Sequence, residues 1–387
     1  MPHAEQTADA PRFMPLAEYQ APAMPTRDTF QILATRAREL LRRGPPEPLV
    51  ADTRLRRSTL DMLDTAAPPP ACGPLIDELQ ASLSDWLNDP APEETSRLIV
   101  LPPGDRDRVV ARWAERYGHA LCEAPARDEL LAPAHDPLPE PDGDGVLVIP
   151  ALEDWFVRHQ SGLALIRALL VFIQRSERRI VVGCNSWAWQ YLVRAVHADT
   201  VLCAPIIFQP FDAERLRQWF SRIAATGDSQ SLRFLDARSG DDILAEDDDR
   251  AHDRLCSLAA RSQGIPWVAW RLWRQSLRRH IPDQDDADTP AEDDQTLWLT
   301  DLDEFSLPGR NGDDSLLALH ALLIHGPLPP AWLDRLLPSN GASKGLSGML
   351  NAGIVERHDD GRLACAPAAY PTIRAGLATA GFPTAAI

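Results

Sequence analysis

The residues from Leu98 to Ala114, LIVLPPGDRDRVVARWA, carry the spacing in this chain that is most informative about chemistry. An apolar run is followed by a turn of two prolines and Gly104. An amphipathic segment then predicts a helix from about Arg106. Strand, glycine turn and helix form the frame in which backbone N–H groups at a helix N-terminus bind phosphate. The spacing therefore directs attention to nucleotide chemistry at this turn.

The side chains that a phosphate-binding loop needs are missing from this frame. Such a loop supplies a second glycine, a lysine for the phosphate charge and a hydroxyl for magnesium. Those positions carry Arg106, Asp107 and Arg108. A carboxylate repels a triphosphate, and backbone without glycine cannot wrap phosphate oxygens closely. We therefore predict a degenerate phosphate loop consisting of Pro103, Gly104, Asp105, Arg106, Asp107 and Arg108.

A second apolar run, Val146 to Ile149, reads as another buried parallel strand. In a nucleotide hydrolase this strand would end in a magnesium-binding aspartate, usually followed by a glutamate that activates water. Pro150 and Ala151 stand there instead. Glu153 and Asp154 follow a little later, and we interpret them as the acidic start of a helix, where carboxylates are favourable.

A third apolar run, from Arg179 to Gly183, is followed by Asn185 and Ser186. The position resembles the one at which an AAA-type ATPase places a polar side chain that senses the γ-phosphate, and this resemblance makes Asn185 a candidate sensor. The alternative is an Asn-Ser pair that caps the turn before the next helix, and we favour this alternative.

These three strands, followed by the segment from Ala251 to His280, resemble the AAA and signalling-ATPase superfamily of P-loop proteins over roughly residues 95 to 280. An AAA-type member would read G-P-P-x-x-G-K-[ST] where this chain has Leu101 to Arg108. The resemblance implies an ATPase core followed by a small helical lid, and active members use ATP and magnesium to switch shape or drive assembly. Losing the lysine and the aspartate together removes most of the charge compensation, so we carry over no catalytic residue and expect no cofactor.

The predicted fold class is α/β, with a parallel P-loop-type sheet flanked by helices, a helical lid and a winged-helix domain. We predict a disordered tail over 1–26 and an N-terminal helical segment over 27–94, which includes a helix from Thr29 to Arg43. The ATPase-like core covers 95–235, the lid with acidic loops 236–304 and the winged helix 305–387. Trp267, Trp270 and Trp273 recur every third residue, and we predict that they lie in the core rather than forming a binding platform.

The segment from Asp313 onward has the winged-helix order of three helices and a hairpin around an Asp-Gly turn. From Phe305 to the end it contains six Lys or Arg and six Asp or Glu residues. Its third helix offers only Lys344 with Ser343 and Asn351, whereas a helix that reads a DNA groove usually brings several arginines and amides. DNA recognition is therefore disfavoured against protein binding.

Composition excludes several other functions. The net charge of −17 disfavours non-specific nucleic-acid binding, and Lys344 is the only lysine. Six scattered cysteines form no CxxC pair, and neither G-x-S-x-G nor HExxH occurs. His320 and His325 are five residues apart, which makes them poor joint metal ligands. No signal peptide or apolar window of about 20 residues is present, so we expect a soluble cytoplasmic protein that does not span a membrane.

Two main hypotheses remain. The first is a non-catalytic ATPase-fold scaffold or regulatory subunit whose partner is a protein, such as an active ATPase or a membrane protein. The second is a nucleotide-sensing ATPase in which Arg106, Arg108 and lid arginines replace the lysine, since arginine binds phosphate in a bidentate manner. The carboxylates of Asp105 and Asp107 would repel the phosphates and therefore disfavour this second hypothesis. A winged-helix regulator that binds DNA is a third, weaker alternative.

Overall fold

The computed structural model describes residues 12–25, 55–58, 63–64, 73–131, 145–226, 232–245, 249–280, 296–302, 304–307, 312–337, 342–385 and 387. The chain divides into two compact units. The first comprises 1–19, 71–209 and 305–387, and the second comprises 20–70 and 210–304. The helix predicted from Thr29 to Arg43 and the acidic residues 283–294 lie outside the described residues. Of the predicted disordered tail, 1–11 and 26 also lie outside them, whereas 12–25 are described and Phe13–Pro15 form a strand that pairs with Ile206–Phe208.

The elements are numbered in chain order over the described residues. The strands are β1 (Phe13–Pro15), β2 (Leu55–Arg57), β3 (Ser96–Leu101), β4 (Ala120–Leu121), β5 (Leu147–Ile149), β6 (Ile180–Asn185), β7 (Ile206–Phe208), β8 (Arg233–Asp236), β9 (Leu277–His280), β10 (Thr296–Leu299), β11 (Val355–Arg357) and β12 (Leu363–Cys365). The α-helices are α1 (Gly73–Asn88), α2 (Val109–Tyr117), α3 (Ala164–Arg175), α4 (Ser186–Val196), α5 (Ala213–Thr226), α6 (Asp249–Arg261), α7 (Pro266–Ser276), α8 (Gly312–His325), α9 (Pro330–Leu336), α10 (Ala342–Asn351) and α11 (Tyr370–Thr379).

The first unit is built on a six-stranded sheet with the order β1-β7-β3-β6-β5-β4. Strands β3 to β7 run parallel to their neighbours, whereas β1 pairs antiparallel with β7. The three predicted apolar runs form β3, β5 and β6, which lie side by side and are almost fully buried. The predicted α/β class with a parallel sheet flanked by helices is confirmed. Because β3 and β6 pair from Ser96 to Leu101, both strands end at the same edge of the sheet.

Gly183 lies in the middle of β6, where the sheet passes close to the chain that leaves β5. A Cβ atom at this position would lie 2.1 Å from the carbonyl oxygen of Pro150 and 3.2 Å from a methyl group of Val110. The nearest atom belongs to backbone, so the clash cannot be relieved by rotating a side chain. Glycine is therefore required at this point by the packing around the strand.

Replacing Gly183 with alanine is expected to lower the free energy of unfolding by about 2 kcal/mol, because the backbone around Pro150 must shift. Urea denaturation of this variant beside Gly145→Ala measures the effect. A Cβ atom at Gly145 would meet no atom within 4 Å, which makes that substitution the matched control. Equal stability of the two variants would contradict the close approach.

The second unit contains a sheet that the sequence did not predict, with the order β2-β9-β10-β8. The predicted lid helices are present as α6 and α7, but α7 ends at Ser276. The next four residues, which the sequence placed in the lid, form β9 instead. They pair antiparallel with β10, where Leu277 lies opposite Leu299. Trp267, Trp270 and Trp273 are buried, as predicted. Trp273 stacks on Phe220 with ring centroids 4.6 Å apart.

The C-terminal part of the first unit is called the C-terminal module here and comprises residues 305–387. Helices α8, α9 and α10 are followed by the β11–β12 hairpin, which is the predicted order of elements. A further helix, α11, follows the hairpin and was not predicted. Its Tyr370 hydroxyl accepts a hydrogen bond of 2.9 Å from the indole N–H of Trp187 in α4. The module therefore packs against the core through buried aromatic side chains.

Candidate functional site

The loop between β3 and α2 lies at the carboxyl edge of the parallel sheet. Pro102 and Pro103 are buried as the chain leaves β3, and Gly104 adopts a φ of 89°, which glycine accepts without strain. Arg108 immediately precedes α2 with a φ of 51°, so a non-glycine residue occupies a left-handed conformation. The predicted strand, turn and helix are therefore present, with the helix beginning three residues later than predicted.

The carboxylate of Asp105 occupies the amino end of α2. Its Oδ2 atom accepts a hydrogen bond of 2.8 Å from the backbone N–H of Val109. The backbone N–H groups of Asp107 and Arg108 also stabilise the charged carboxylate. Burial, together with the nearby Asp107 charge, nevertheless raises the pKa of Asp105 to about 6. A side chain of the protein thus takes the N–H groups that an external anion would need at this helix end.

The three residues after Asp105 do not form a cation site for phosphate. Arg106 pairs with Glu356 of the β11–β12 hairpin, and its guanidinium lies 3.4 Å from Nε2 of His358. Asp107 lies 3.9 Å from Arg112 at the nearest charged atoms. Arg108 is exposed. One of the two loop arginines is therefore directed at the C-terminal module.

The chain that leaves β5 brings a carboxyl group to the same edge. Pro150 and Ala151 follow the strand, as predicted, and residues Leu152–Asp154 form one 3₁₀ turn rather than the start of an α-helix. Oε2 of Glu153 accepts a hydrogen bond of 3.0 Å from the backbone N–H of Asn185. Burial, and then the neighbouring Asp154, raise the pKa of Glu153 to about 7. The sequence did not single out Glu153 as a site residue.

The side chain of Asn185 makes three hydrogen bonds within the protein. Its Oδ1 accepts from the backbone N–H groups of Trp187 at 3.0 Å and Ala188 at 2.8 Å, which caps α4. Its Nδ2 donates to the carbonyl oxygen of Ile324 in α8 at 2.9 Å. The helix-capping geometry favoured from the sequence is present, and the amide also connects the core to the C-terminal module. A phosphate-sensing role for Asn185 remains a prediction.

Asn185→Ala is expected to lower the free energy of unfolding by about 2 kcal/mol, because α4 loses its cap and the Ile324 carbonyl loses a donor. Asn185→Asp keeps the capping oxygen but removes the donor, so we expect an intermediate loss. Urea denaturation of the three proteins measures both contributions. If the alanine variant were as stable as the natural protein, the hydrogen bonds of this amide would have no structural importance.

Two histidines of α8 face Arg158 of the core. Nε2 of His325 accepts from the Arg158 backbone N–H at 3.2 Å, and Nδ1 of His320 lies 2.8 Å from the Arg158 guanidinium. A guanidinium can only donate, so His320 accepts and is neutral. Burial and the charge of Arg158 lower the pKa of His320 to about 4. Burial, with the charges of Arg127 and Arg158, also lowers the pKa of His325.

Arg127 connects the same helix to the chain after β5. Its guanidinium donates to Oδ1 of Asp154 at 3.1 Å and to the carbonyl oxygen of His325 at 2.8 Å. The carboxyl edge of the sheet is therefore joined to the end of α8 through charged and polar groups. Residues that are about 200 positions apart in the chain meet here, which no local spacing could have shown.

A cavity of about 760 Å³ lies between the carboxyl edge of the sheet and the C-terminal module. This volume lies within the usual range for ligand pockets. Its walls include five arginines and six carboxyl groups: Arg106, Arg108, Arg127, Arg357 and Arg362 with Asp105, Glu153, Asp154, Glu356, Asp359 and Asp360. Three of the arginines form ion pairs within these walls, Arg106 with Glu356, Arg127 with Asp154 and Arg362 with Asp360. Neighbouring carboxylates therefore neutralise much of the positive charge that an anion in this cavity would encounter.

The structure brings most of the predicted site residues together. Pro103 to Arg106, Arg108, Pro150, Ala151 and Asn185 all line this cavity, and Asp107 lies beside it in the loop. The capping role of Asp105 was missed, although an aspartate just before a helix is a recognised capping signal. Glu153, Arg127, His320 and His325 join the site through long-range contacts. Within the described residues, no three His, Cys, Asp or Glu side chains are grouped so that they could hold a metal ion.

Comparison with known proteins finds similarity in structure only. No protein-family model matches the chain, and no curated protein matches its sequence. Cdc6p from Pyrobaculum aerophilum is 12% identical, with 83% of this chain and 99% of that chain covered at a TM-score of 0.30. The RuvB Holliday junction branch migration motor of Thermotoga maritima is 13% identical, covering 81% and 94% at 0.30. The ORC2 protein of Aeropyrum pernix is 10% identical, covering 80% and 93% at 0.32. Likeness at this level settles neither the family nor the function of this chain.

Proposed function

We propose that this chain is a P-loop ATPase-type fold that does not catalyse hydrolysis and acts as a scaffold or regulatory subunit through protein–protein contacts. The observation that carries the proposal is the position of the Asp105 carboxylate. It accepts the Val109 N–H at the amino end of α2, where a phosphate group would need that donor. A bound phosphate would have to displace this carboxylate or lie beside its negative charge.

The magnesium position supports the same proposal. Pro150 and Ala151 offer no carboxylate at the end of β5. The nearest acid along the chain, Glu153, accepts a hydrogen bond from the Asn185 N–H. Burial favours the neutral form of this carboxyl group and raises its pKa to about 7. These residues do not fit a magnesium–nucleotide complex of the usual kind, so no hydrolytic step is assigned to them.

A nucleotide-sensing role is the second candidate, and the cavity favours it. Arg106 and Arg108 line a space large enough for a nucleotide. Against it, Arg106 already pairs with Glu356, and Asp105 places a carboxyl group in the same wall. Binding of ATP and magnesium at this site is therefore the alternative against which the scaffold proposal is tested.

DNA recognition by the C-terminal module receives less support. In a winged helix of this order, the hairpin would be the wing. Here Glu356 and His358 at the hairpin contact Arg106 of the core. A hairpin directed at the core is not positioned to contact a duplex, and this module carries no net charge. We therefore propose that the module is a winged helix that binds protein, in this chain or in a partner.

We propose that the partner is a protein, such as an active ATPase or the cytoplasmic face of a membrane protein, with the chain itself in the cytoplasm. None of the described helices combines the length and apolarity needed to cross a membrane. The Asp105 carboxylate at the amino end of α2 supports a role in binding proteins rather than in hydrolysis.

Thermal unfolding with and without millimolar ATP and magnesium tests the proposal. A ligand present at 100 times its dissociation constant adds about 2.7 kcal/mol to the free energy of unfolding, which raises Tm by several degrees. We expect no shift for the natural protein. The Asp107→Lys variant, which restores the loop lysine, serves as the comparison. A clear shift of the natural protein that disappears in Arg108→Gln would support the sensing role instead.

A further inference from the structure

Helices α3 and α4 of the first unit carry positive charge without any acidic residue. Helix α3 contains Arg167 and Arg175, helix α4 contains Arg194, and neither helix contains Asp or Glu. From Trp155 to Val196 the chain has six arginines and one acid, Glu177, although its net charge is −17. None of the three helix arginines lines the cavity at the carboxyl edge of the sheet. The candidate nucleotide site therefore does not account for them.

The topology of the sheet places these two helices on the same face. Helix α3 connects β5 to β6 and α4 connects β6 to β7, so both connections cross the sheet in one direction, whereas α2 connects β3 to β4 in the other. Because crossovers between parallel strands are right-handed, α3 and α4 lie on one face and α2 on the opposite face. Burial raises the pKa of Tyr191 in α4, and the charges of Arg158 and Arg167 oppose that rise. Arg167 of α3 is therefore close to α4.

The outward surface of the two helices is called the basic face here. Its main side chains are exposed, apart from a half-buried tyrosine, and comprise Arg167, Val171 and Arg175 of α3 with Tyr191 and Arg194 of α4. Within each helix these residues are three or four apart, so they are neighbours on one side. Val171 is 44% exposed and is one of two large hydrophobic side chains that are exposed among the described residues. The exposed Ala164 and Ala168 beside it present little bulk, so a second helix can approach α3 closely.

The three arginines of the basic face form no ion pair with a described residue. Exposed arginines of other helices do so: Arg116 of α2 pairs with Asp77 at 3.0 Å, and Arg217 of α5 pairs with Glu214 at 2.7 Å. A solvated helix surface usually mixes both signs, because opposite charges on neighbouring turns stabilise each other. The basic face departs from this pattern and is complementary in charge to an acidic surface of another molecule.

We propose that the basic face docks an acidic amphipathic helix of a partner protein. The apolar stripe of that helix packs on Val171 and the alanines beside it. Its glutamates pair with Arg167, Arg175 and Arg194, since guanidinium groups bind carboxylates in a bidentate manner. The proposal deepens the scaffold function and rests on it, because it names the chemistry of the partner.

Three other occupants fit the basic face less well. A surface that inserts into an anionic membrane brings several Trp, Phe or Leu side chains, whereas Val171 is the only large apolar side chain that is exposed here. A second copy in a two-fold symmetric dimer would set the face against itself, so that arginines meet arginines. A nucleic acid is repelled by the net charge of −17 on the whole chain.

Fluorescence anisotropy with the full chain tests the proposal. The probe is a labelled helical peptide of about 18 residues, with leucine at every third or fourth position and Glu and Ala elsewhere. Above about 0.1 M salt, where distant charges are screened, we expect saturable binding that weakens as salt rises further. The Arg167→Gln/Arg175→Gln variant should bind about tenfold more weakly, as should Val171→Asp. The matched control, Arg12→Gln/Arg116→Gln, removes the same charge from exposed positions outside α3 and α4 and should bind like the natural protein.

Further measurements separate the outcomes. A peptide of the same composition with its leucines spread around the helix keeps the charge but lacks the apolar stripe, and it should bind about tenfold more weakly. The Arg167→Glu/Arg175→Glu variant should bind the corresponding lysine peptide more tightly than the natural protein does, which shows that the altered face still folds. No saturable binding of the acidic peptide, or equal binding by the glutamine variant, would overturn the proposal.

Two results would replace the partner helix with another occupant and also overturn the proposal. Binding to phosphatidylserine vesicles that is lost in the Arg167→Gln/Arg175→Gln variant would identify a membrane surface. Self-association in sedimentation velocity that is lost in the same variant would identify a second copy of this chain. Thermal shift with Mg–ATP on the same samples tests the scaffold function separately, so a basic face that binds no acidic helix can be distinguished from a chain that binds nucleotide.

Discussion

Glu153→Gln is expected to raise the free energy of unfolding at pH 8 by about 3 kcal/mol. Burial, with the Asp154 charge beside it, raises the pKa of Glu153 from 4.5 to about 7. Each unit of such a shift corresponds to about 1.4 kcal/mol. The ionised carboxylate therefore destabilises the folded chain above pH 7, where it is charged in both the folded and the unfolded state. Glutamine removes that cost and keeps an oxygen that accepts the Asn185 N–H.

The gain should depend on pH in a defined way. Between pH 7 and pH 4.5 the folded state of the natural protein binds a proton that the unfolded state does not bind, so its stability rises as the pH falls. The advantage of the glutamine variant should therefore shrink and vanish near pH 4.5. Urea denaturation at pH 8 and pH 4.5 measures it, with the exposed Glu177→Gln as control. A gain of equal size at both pH values would show that Glu153 is not a buried ionising group.

The C-terminal module is expected to lose stability in acid through His320 and His325. The pKa of His320 is lowered to about 4 and that of His325 also lies well below 6.5, because both are buried near Arg158. Above pH 6.5 these rings are neutral in both states and have no effect. As the pH falls from 6.5 to 4, the unfolded state takes up protons that the folded state refuses, so stability decreases. His320 alone should account for about 3 kcal/mol at pH 4.

The variant His320→Gln separates this loss from the protonation of the carboxyl groups. Glutamine can still accept a hydrogen bond from Arg158 but does not ionise. We compare the free energy of unfolding of the variant with that of the natural protein at each pH. This difference should be about 3 kcal/mol more favourable to the variant at pH 4 than at pH 7. Urea denaturation at the two pH values, with the exposed His197→Gln as control, measures the difference. The same pH dependence in the natural protein and the variant would contradict a neutral His320 at this interface.

The strands of the parallel sheet and their carboxyl edge could be predicted from the sequence because they are local features. The apolar residues of LIVL, VLVI and RIVVG are consecutive in the chain, and each segment contributes to a buried parallel strand. The loop between β3 and α2 could be located for the same reason, since its turn and helix are adjacent in the chain. Pro150, Ala151 and Asn185 could be placed at this edge for the same reason, since each follows or ends one of these strands.

The remaining features depend on contacts between distant segments. Strand β9 lies in the segment that the resemblance assigned to the helical lid, and only the pairing of Leu277–His280 with β10 and β2 makes these residues a strand. Glu153 was interpreted as part of a helix start because its neighbours in the sequence suggested nothing else. Its contact with the Asn185 N–H joins the ends of two different strands and is not visible in the sequence. The role of Asp105 was misjudged for another reason. Its charge was weighed against a ligand's phosphate, but not against the N–H groups of its own helix.

The occupation of the loop by Asp105 is the central claim, and amide NMR of the ¹⁵N-labelled protein tests it most directly. If the carboxylate accepts N–H groups at the amino end of α2, the amide resonances of Asp107, Arg108 and Val109 should shift with a midpoint near pH 6, the pKa of Asp105. They should not move when millimolar Mg–ATP is added at pH 7.5. Resonances that ignore pH but shift on adding Mg–ATP would show that the loop binds phosphate and that the scaffold account is wrong.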